Sequence, residues 1–375
     1  MTDNAGSAGI GHSQFPAHDG PRVWLLSSGD CPIGISLTRQ LLAHGDYVVV
    51  GIPPDNERED SRTVDFERFV EEISENSENG WKERFEAVAL DIRNYTDGKS
   101  AVIGSVEELA ASERTRMLVK SQFETNYFGP VNLIRAALPH MRIRKAGHIM
   151  ISGGITGHIG TPGLGVYCAA GWALEGFCDS LAYEVAPFNI RVTILQSNME
   201  IGILANLVTS VPPLFPAYSP TENHAPLFRG IMNSILLQLP GANGYSRSDR
   251  ASPASQASIS SAESGKLDSN LGDEQNLPLS STGVVSLYPP LSPEHLDILL
   301  AETIHVITAI GGHENPPARH IVGTESVSSV KEKLKTVSEE LEDFIECSCA
   351  VDINNSESAM RAANDGTVAQ VDFSI

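Results

Sequence analysis

Cysteines, basic residues and long apolar runs are all scarce in this sequence of 375 residues. The five cysteines form no Cys-x-x-Cys pair and leave an odd thiol, which indicates reduced cysteines in an intracellular protein rather than a disulfide framework. Asp and Glu outnumber Lys and Arg by 47 to 26, and the net charge of −21 argues against nucleic acid and anionic membranes as partners. No segment approaches about eighteen uninterrupted apolar residues and no signal peptide is recognisable, so the expected location is the cytosol.

Apolar residues make up 41% of the sequence, which is enough to bury a sizeable core. The length allows one large α/β domain with extensions, or two domains. The histidines at 158, 313 and 320 lack the spacing of metal ligands, so no metal site is predicted.

A strand, a helix and a second strand follow one another near the middle of the chain. The predicted strands are His148–Ser152 and Ile190–Leu195, and apolar residues recur at helical spacing from about Cys168 to Val185. This order predicts a parallel crossover unit. Ser152 then lies at the carboxyl end of a strand and Tyr167 at the start of the helix, at the edge where open α/β sheets bind ligands.

The same stretch, which includes PGLGVYCAAGWALEGFCDSLAYEVAPFNIRVT, resembles the active-site segment of the short-chain dehydrogenases/reductases. The resemblance implies one doubly wound, mostly parallel α/β domain of the Rossmann type that binds NAD or NADP. It further implies hydride transfer to or from a small alcohol or carbonyl substrate, and a homodimer. By the same resemblance Tyr167 delivers the proton, Ser152 polarises the substrate oxygen and Asn126 helps to hold a water.

The family places a lysine four residues after the tyrosine, but this sequence has Gly171 there. A free tyrosine has a pKa near 10 and needs a neighbouring cation to act as a base at neutral pH. An active site of this kind is therefore expected to be impaired. Because Gly171 lies in a predicted helix, its replacement by lysine is expected to cost no folding free energy.

The position of the catalytic hydroxyl is also unusual. Ser152 lies fifteen residues before Tyr167, whereas the best alignment with the family puts Gly154 in the place of the serine. A rearranged loop could bring either Ser152 or Thr156 into the site.

A second crossover unit near the N-terminus is the expected place for the cofactor pyrophosphate. A strand at Arg22–Ser28 is followed by a glycine turn, a helix at Ile35–His44 and a strand at Tyr47–Ile52. In the family this turn has the sequence pattern GxxxGxG. In the present sequence the turn is one residue shorter and lacks the middle glycine. The resemblance implies cofactor contacts from Gly29, Asp30, Ile33 and Gly34.

The third predicted strand, Phe85–Ile92, carries Asp91, which matches the family's aspartate beside the adenine. After the second strand, Asp55 could serve a ribose hydroxyl and Arg58 could reach a ribose phosphate. The choice between NAD and NADP therefore stays open.

Only twelve residues, Arg93 to Gly104, separate the third strand from the next recognisable run. A helix, a strand and their loops do not fit into that length. We therefore predict that one central βα element of the sheet is missing, either because the fold is truncated or because the reading frame has lost coding sequence.

The organisation predicted for the whole chain has five parts. A disordered tail covers residues 1–21, and the catalytic domain covers 22–240. A low-complexity, disordered insertion covers 241–283, because this run cannot bury a core. Residues 284–346 return to the same domain, and 347–375 form a tail.

Three interpretations of function remain open. The chain is an impaired NAD(P)-dependent oxidoreductase of small or lipophilic alcohols and ketones, or a non-catalytic binding or dimer partner with the same fold. The third is a normal reductase with a faulty gene model.

Overall fold

The computed structural model describes residues 20–52, 60–90, 100–197, 207–211, 217, 285–287 and 293–349. The chain divides into two compact units, residues 1–326 and 327–375. Asp91 and the insertion at 241–283 lie outside the described residues. Within the described ranges, no helix is both long and apolar enough to cross a membrane.

The N-terminal part of the first unit is a parallel sheet of three strands in the order β1–β2–β3. Its elements are β1 Val23–Leu26, α1 Pro32–Ala43, β2 Tyr47–Ile52, α2 Asp60–Glu75, α3 Trp81–Arg84 and β3 Phe85–Ala89. Helix α1 begins at Pro32, whose fixed φ and missing N–H suit the first turn of a helix.

A second parallel sheet, in the order β5–β6–β9, contains the central crossover unit. Its strands are β5 Gly147–Gly154, β6 Ile190–Ser197 and β9 Arg319–Ile321. The helices of this region are α4 Val106–Ala110, α5 Glu113–Phe123, α6 Gly129–Arg144, α7 Gly165–Val185 and α8 Pro293–Gly311. Helices α9 Thr324–Asp343 and α10 Ile345–Cys349 follow. The Rossmann-type α/β fold predicted from the sequence is confirmed.

Two apolar cores hold these layers together. One lies between the first sheet and helices α1, α2 and α8, with Leu41, Val50 and Phe69 almost inaccessible to solvent. The other lies between α6, α7 and the second sheet, around Cys178 and Ile194. Full burial of one large apolar side chain stabilises a fold by about 1.5–3 kcal/mol.

A cleft separates the two parallel sheets. Strand β1 pairs only with β2 and strand β5 pairs only with β6, and no described strand lies between β1 and β5. This arrangement of the described residues agrees with the predicted loss of a central element.

The structure shows one short strand within the interval from Arg93 to Gly104, and this strand does not join either parallel sheet. Strand β4, Ser100–Ile103, is four residues long. It pairs with β7, Leu207–Ser210, which in turn pairs with β8, Val285–Leu287, in a small third sheet.

Candidate active site

One cavity of 1330 Å³ lies along β1 and β5 and reaches the start of α7. Most of the residues predicted for the site line it: Asp30, Ile33, Gly34, Asn126, Ser152 and Tyr167. The fold therefore brings together residues that are up to 137 positions apart in the sequence (167 minus 30).

The start of helix α7 fixes the position of Tyr167. The loop before the helix turns at Gly163, whose φ of +78° suits a glycine, and its carbonyl accepts the N–H of Gly104 at 3.0 Å. Leu164 is fully buried, and the Thr161 N–H donates to the Cys168 Sγ at 3.4 Å. These contacts hold the half-buried Tyr167 at the cavity wall.

Gly171 packs closely against another glycine. A Cβ at position 171 would lie 3.1 Å from the Cα of Gly157, which is tighter than most real Cβ contacts. A side chain at Gly171 therefore requires the Gly157 backbone to shift by a few tenths of an ångström, a steric requirement that the expectation of no cost did not include. Among the described residues that line the cavity there is no lysine.

Two residues, Ser152 and Thr156, carry a hydroxyl group suited to polarise the substrate oxygen. Ser152 lies on β5 with an exposed side chain, whereas Thr156 is 3% exposed. The Oγ1 of Thr156 lies 3.2 Å from the place that a Cβ at Gly154 would occupy. The Thr156 hydroxyl is thus next to the position of the serine in the family alignment.

Asn126 lies in a π-helical turn, Glu124–Phe128, between helices α5 and α6. Pro130 follows four residues later and has no N–H to donate to the Asn126 carbonyl, while the Gly129 N–H donates to Glu124 instead. The Nδ2 atom of Asn126 is buried without a hydrogen-bond partner. The proline could have revealed this turn in the sequence.

The glycine turn after β1 fits a dinucleotide in its backbone geometry. A Cβ at Gly29 would lie 2.3 Å from the Val50 Cβ, and a Cβ at Gly34 would lie 2.2 Å from the Ser28 carbonyl oxygen. Only glycines allow this close approach of helix α1 to the strands, which is what pyrophosphate binding at a helix N-terminus requires. With the unpartnered amide of Asn126, the residues present fit the cofactor of the family.

Two features of the same turn weaken that fit. Pro32 has no N–H, and the Gly34 N–H already donates to the Cys31 Sγ at 3.3 Å, so fewer backbone donors remain for a phosphate. Asp30 is only 6% exposed and lines the cavity at this turn. A carboxylate there repels a phosphate group.

A buried polar cluster behind the site was missed in the sequence. The Gln196 amide donates to both carboxylate oxygens of Glu175 at 2.8 Å, and the Arg319 Nε donates to the same carboxylate at 3.5 Å. Burial raises the pKa of Glu175, and the bonds from Gln196 and Arg319 offset part of this rise. Glu175 lines the cavity one helical turn after Gly171.

The raised pKa of Glu175 predicts how stability depends on pH. A carboxyl whose pKa is higher in the folded state stabilises the protein below its unfolded pKa of about 4.3, and this contribution is lost as the pH rises through the folded pKa. Glu175→Gln should therefore gain stability relative to the wild type as the pH rises from about 4.3 through the folded-state pKa of Glu175. Urea unfolding at a series of pH values measures this difference. The surface variant Glu184→Gln on the same helix is the control, and a wild type and Glu175→Gln with parallel pH profiles would contradict the assignment.

In comparisons with known proteins, the chain is similar to dehydrogenases and reductases. The family model described as short chain dehydrogenase matches residues 25–199. Oxidoreductase BOA17 of Botryotinia fuckeliana is 28% identical over 191 residues, 47% of this chain and 64% of that protein. The 3-ketodihydrosphingosine reductase of Bacteroides thetaiotaomicron is 31% identical over 186 residues, 47% of this chain and 63% of that protein.

Among solved structures, a short-chain dehydrogenase from Streptomyces avermitilis matches with a TM-score of 0.57 and 20% identity. The match covers 89% of this chain and 100% of that chain. At this identity the likeness shows the fold alone. The chain spans 64% and 63% of the length of the two curated relatives above.

Proposed function

We propose that the chain is an oxidoreductase of the short-chain dehydrogenase/reductase family that interconverts a small lipophilic ketone and its alcohol with NAD or NADP. One observation carries the proposal: Tyr167, Asn126 and the neighbouring hydroxyl groups line the same cavity as the glycine turn. The activity of the whole protein is proposed to be impaired, since residue 171 carries no amino group.

Each residue of the site has a role in this proposal. The bound nicotinamide would supply or accept the hydride. Tyr167 donates its phenolic proton to the carbonyl oxygen during reduction and takes it back during oxidation. Ser152 or Thr156 donates a hydrogen bond to the same oxygen, and Asn126 orients a water or a polar group of the ligand. The turn from Gly29 to Gly34 would hold the pyrophosphate.

A lipophilic substrate is supported by the lining of the cavity. Leu133, Ile134, Ala137, Ile149 and Leu174 contribute apolar side chains to its wall. The relative from Bacteroides thetaiotaomicron is named for a ketone, 3-ketodihydrosphingosine. Both points favour a ketone on an apolar skeleton.

The test combines binding with turnover. Titration calorimetry with NADH and with NADPH should show weak binding of at least one dinucleotide. A panel of lipophilic ketones should then be reduced by the wild type and not by Tyr167→Phe. No heat with either dinucleotide at millimolar concentration would remove the proposal.

A non-catalytic binding role is the second candidate, and the contact between Gly157 and Gly171 favours it. This contact fills the space next to the helix where the family's lysine would begin. Dinucleotide binding without turnover of any ketone or alcohol, before and after restoration of the lysine, would support this second role.

Asp30 gives a direct test of the cofactor site. Replacing its carboxylate with the neutral amide in Asp30→Asn should raise the affinity for NADPH at least about tenfold, because about 1.4 kcal/mol of phosphate repulsion is removed. Calorimetry compares the two proteins, with the exposed Glu86→Gln as a control of equal charge change. An unchanged affinity in Asp30→Asn would place the phosphates elsewhere.

We also expect a homodimer formed through α6 and α7. Ile143 and Tyr183 on these helices are each 81% exposed, and Trp172 is 49% exposed. Light scattering at micromolar concentration should give the mass of a dimer, and Tyr183→Asp should lower it. A monomer mass for the wild type would refute this expectation. The cytosolic location stays a prediction.

A further inference from the structure

The cleft between β1 and β5 has walls that are unusual for a ligand pocket. On one wall Val23 is 66% exposed and Leu25 is 49% exposed, although both lie on a strand of a parallel sheet. Such strands are normally covered on both faces. The part of the cavity that extends along these strands was given no role above, and it adjoins Tyr167 and the glycine turn.

The backbone of β1 has hydrogen-bonding groups that point into the cleft. In a parallel sheet, alternate residues of a strand bond to one neighbour and the residues between them face the other side. The Tyr47 N–H donates to the Arg22 carbonyl at 2.8 Å, so Arg22 and Trp24 face β2. The N–H and C=O groups of Val23 and Leu25 therefore face the cleft.

The backbone of β5 faces the cleft in the same way. In β6, the Ile194 N–H donates to Ala318 and the Gln196 carbonyl accepts the Val322 N–H, so the even-numbered residues of β6 bond to β9. The odd-numbered residues then bond to β5. By the register of the pair, the backbone groups of His148, Met150 and Ser152 point away from β6 and into the cleft.

These two edges define the kind of molecule that fits. A ligand that fills the cleft buries these backbone N–H and C=O groups, which then need hydrogen-bond partners that a hydrocarbon chain cannot supply. An extended polypeptide can donate and accept on both sides at once. Its side chains would meet apolar groups on both faces of the sheet, from Leu133 and Ala137 on α6 and from Ile307 on α8.

The charges at the two ends of the cleft set the direction of this segment. Arg22, Arg144 and Arg191 lie at the end where β1 and β5 begin, with Glu314 among them, and Asp30 lies at the other end. The pKa of His148 is lowered to about 4, first by burial and then by Arg191 and Arg22, which agrees with a positive potential there. A strand parallel to β1 and β5 begins at the positive end.

From this complementarity we infer that the cleft binds an extended segment of another polypeptide as an added parallel strand. The segment is apolar along its length, is preceded by acidic residues and is followed by basic ones. Strand addition uses the strand edges and not Tyr167, but it shares Asp30, Leu133 and Ala137 with the proposed oxidoreductase site.

Fluorescence anisotropy with three labelled peptides and the full chain tests the inference. The first, DDVVLIVVKK, should bind saturably. The second, KKVVLIVVDD, reverses the charges and should bind at least about tenfold more weakly, a difference of about 1.4 kcal/mol. The third carries N-methyl groups on alternate residues of the first and should not bind. Equal binding of all three, or no saturable binding of the first, would overturn the inference.

Protein variants and hydrogen exchange add a second readout. Leu25→Glu should abolish binding of the first peptide, whereas Val106→Glu, at a site that is 80% exposed and outside the cavity lining, should retain it. In the wild type the peptide should slow exchange of the Val23, Leu25 and Met150 amides and leave that of Trp24 unchanged. This exchange pattern does not depend on whether Leu25→Glu folds, and slowing of all these amides alike would contradict strand addition.

Discussion

Alcohol oxidation at pH 7 is expected to rise by about 10²–10⁴-fold when Gly171 is replaced by lysine, provided that the dinucleotide binds. Oxidation needs the tyrosinate form of Tyr167, and an ordinary tyrosine has a pKa near 10. An ammonium group one turn further along α7 favours the tyrosinate. In the wild type, oxidation should therefore increase steeply toward alkaline pH, and in Gly171→Lys the rise should shift to lower pH. Reduction, which needs the protonated tyrosine, should change less.

A steric control is needed because a Cβ at position 171 would lie 3.1 Å from the Gly157 Cα. Gly171→Ala introduces the same contact without the charge, so the ratio of the lysine and alanine variants isolates the effect of the cation. Steady-state rates over a range of pH with one alcohol measure it. Equal rates for the two variants at every pH would refute the role given to the missing lysine.

Gly34→Ala is expected to lower the free energy of unfolding by at least about 3 kcal/mol, a cost at the upper end of overpacking effects. Its Cβ would lie 2.2 Å from the Ser28 carbonyl oxygen, and a backbone atom cannot move aside as the end of a side chain can. The same variant should lose dinucleotide binding, since α1 would be pushed away from β1.

The matched control is Gly176→Ala in helix α7, where nothing lies within 4 Å of the new Cβ. There the substitution should stabilise the protein by up to about 1 kcal/mol, because alanine has the higher helix propensity. Urea unfolding compares both variants with the wild type. Similar changes in the free energy of unfolding of the two variants would show that the Ser28 carbonyl oxygen does not exclude a side chain at position 34.

The sequence was sufficient to predict those parts of the fold that depend on local patterns. The strand at residues 47–52 was predicted with the bounds that the structure shows, and the helix at 168–185 was predicted three residues short at its start. The resemblance to a family placed Tyr167, Asn126 and Ser152 together, and the structure lines one cavity with them. Alternation and helical spacing are properties of neighbouring residues, so they can be read without a structure.

The remaining features depend on contacts between residues far apart in the sequence. The bond between Gln196 and Glu175 joins residues 21 positions apart, and that between Arg319 and Glu175 joins residues 144 apart. The contact of Gly157 with Gly171 likewise exists only after the loop has folded onto the helix. No periodicity or motif reports such contacts, which explains why the close approach of Gly157 to Gly171 was not predicted.

The cleft between β1 and β5 also has a consequence for how the first unit unfolds. In the described residues no backbone hydrogen bond crosses from one parallel sheet to the other, so each sheet can open as its own cooperative block. Helix α8 is one mechanical link, because Gly311 packs against Trp24 of β1 and Met150 of β5. Native-state exchange should then report two foldons of different stability, coupled through α8 and through Leu195 and Met150, which pack in the core of the first sheet.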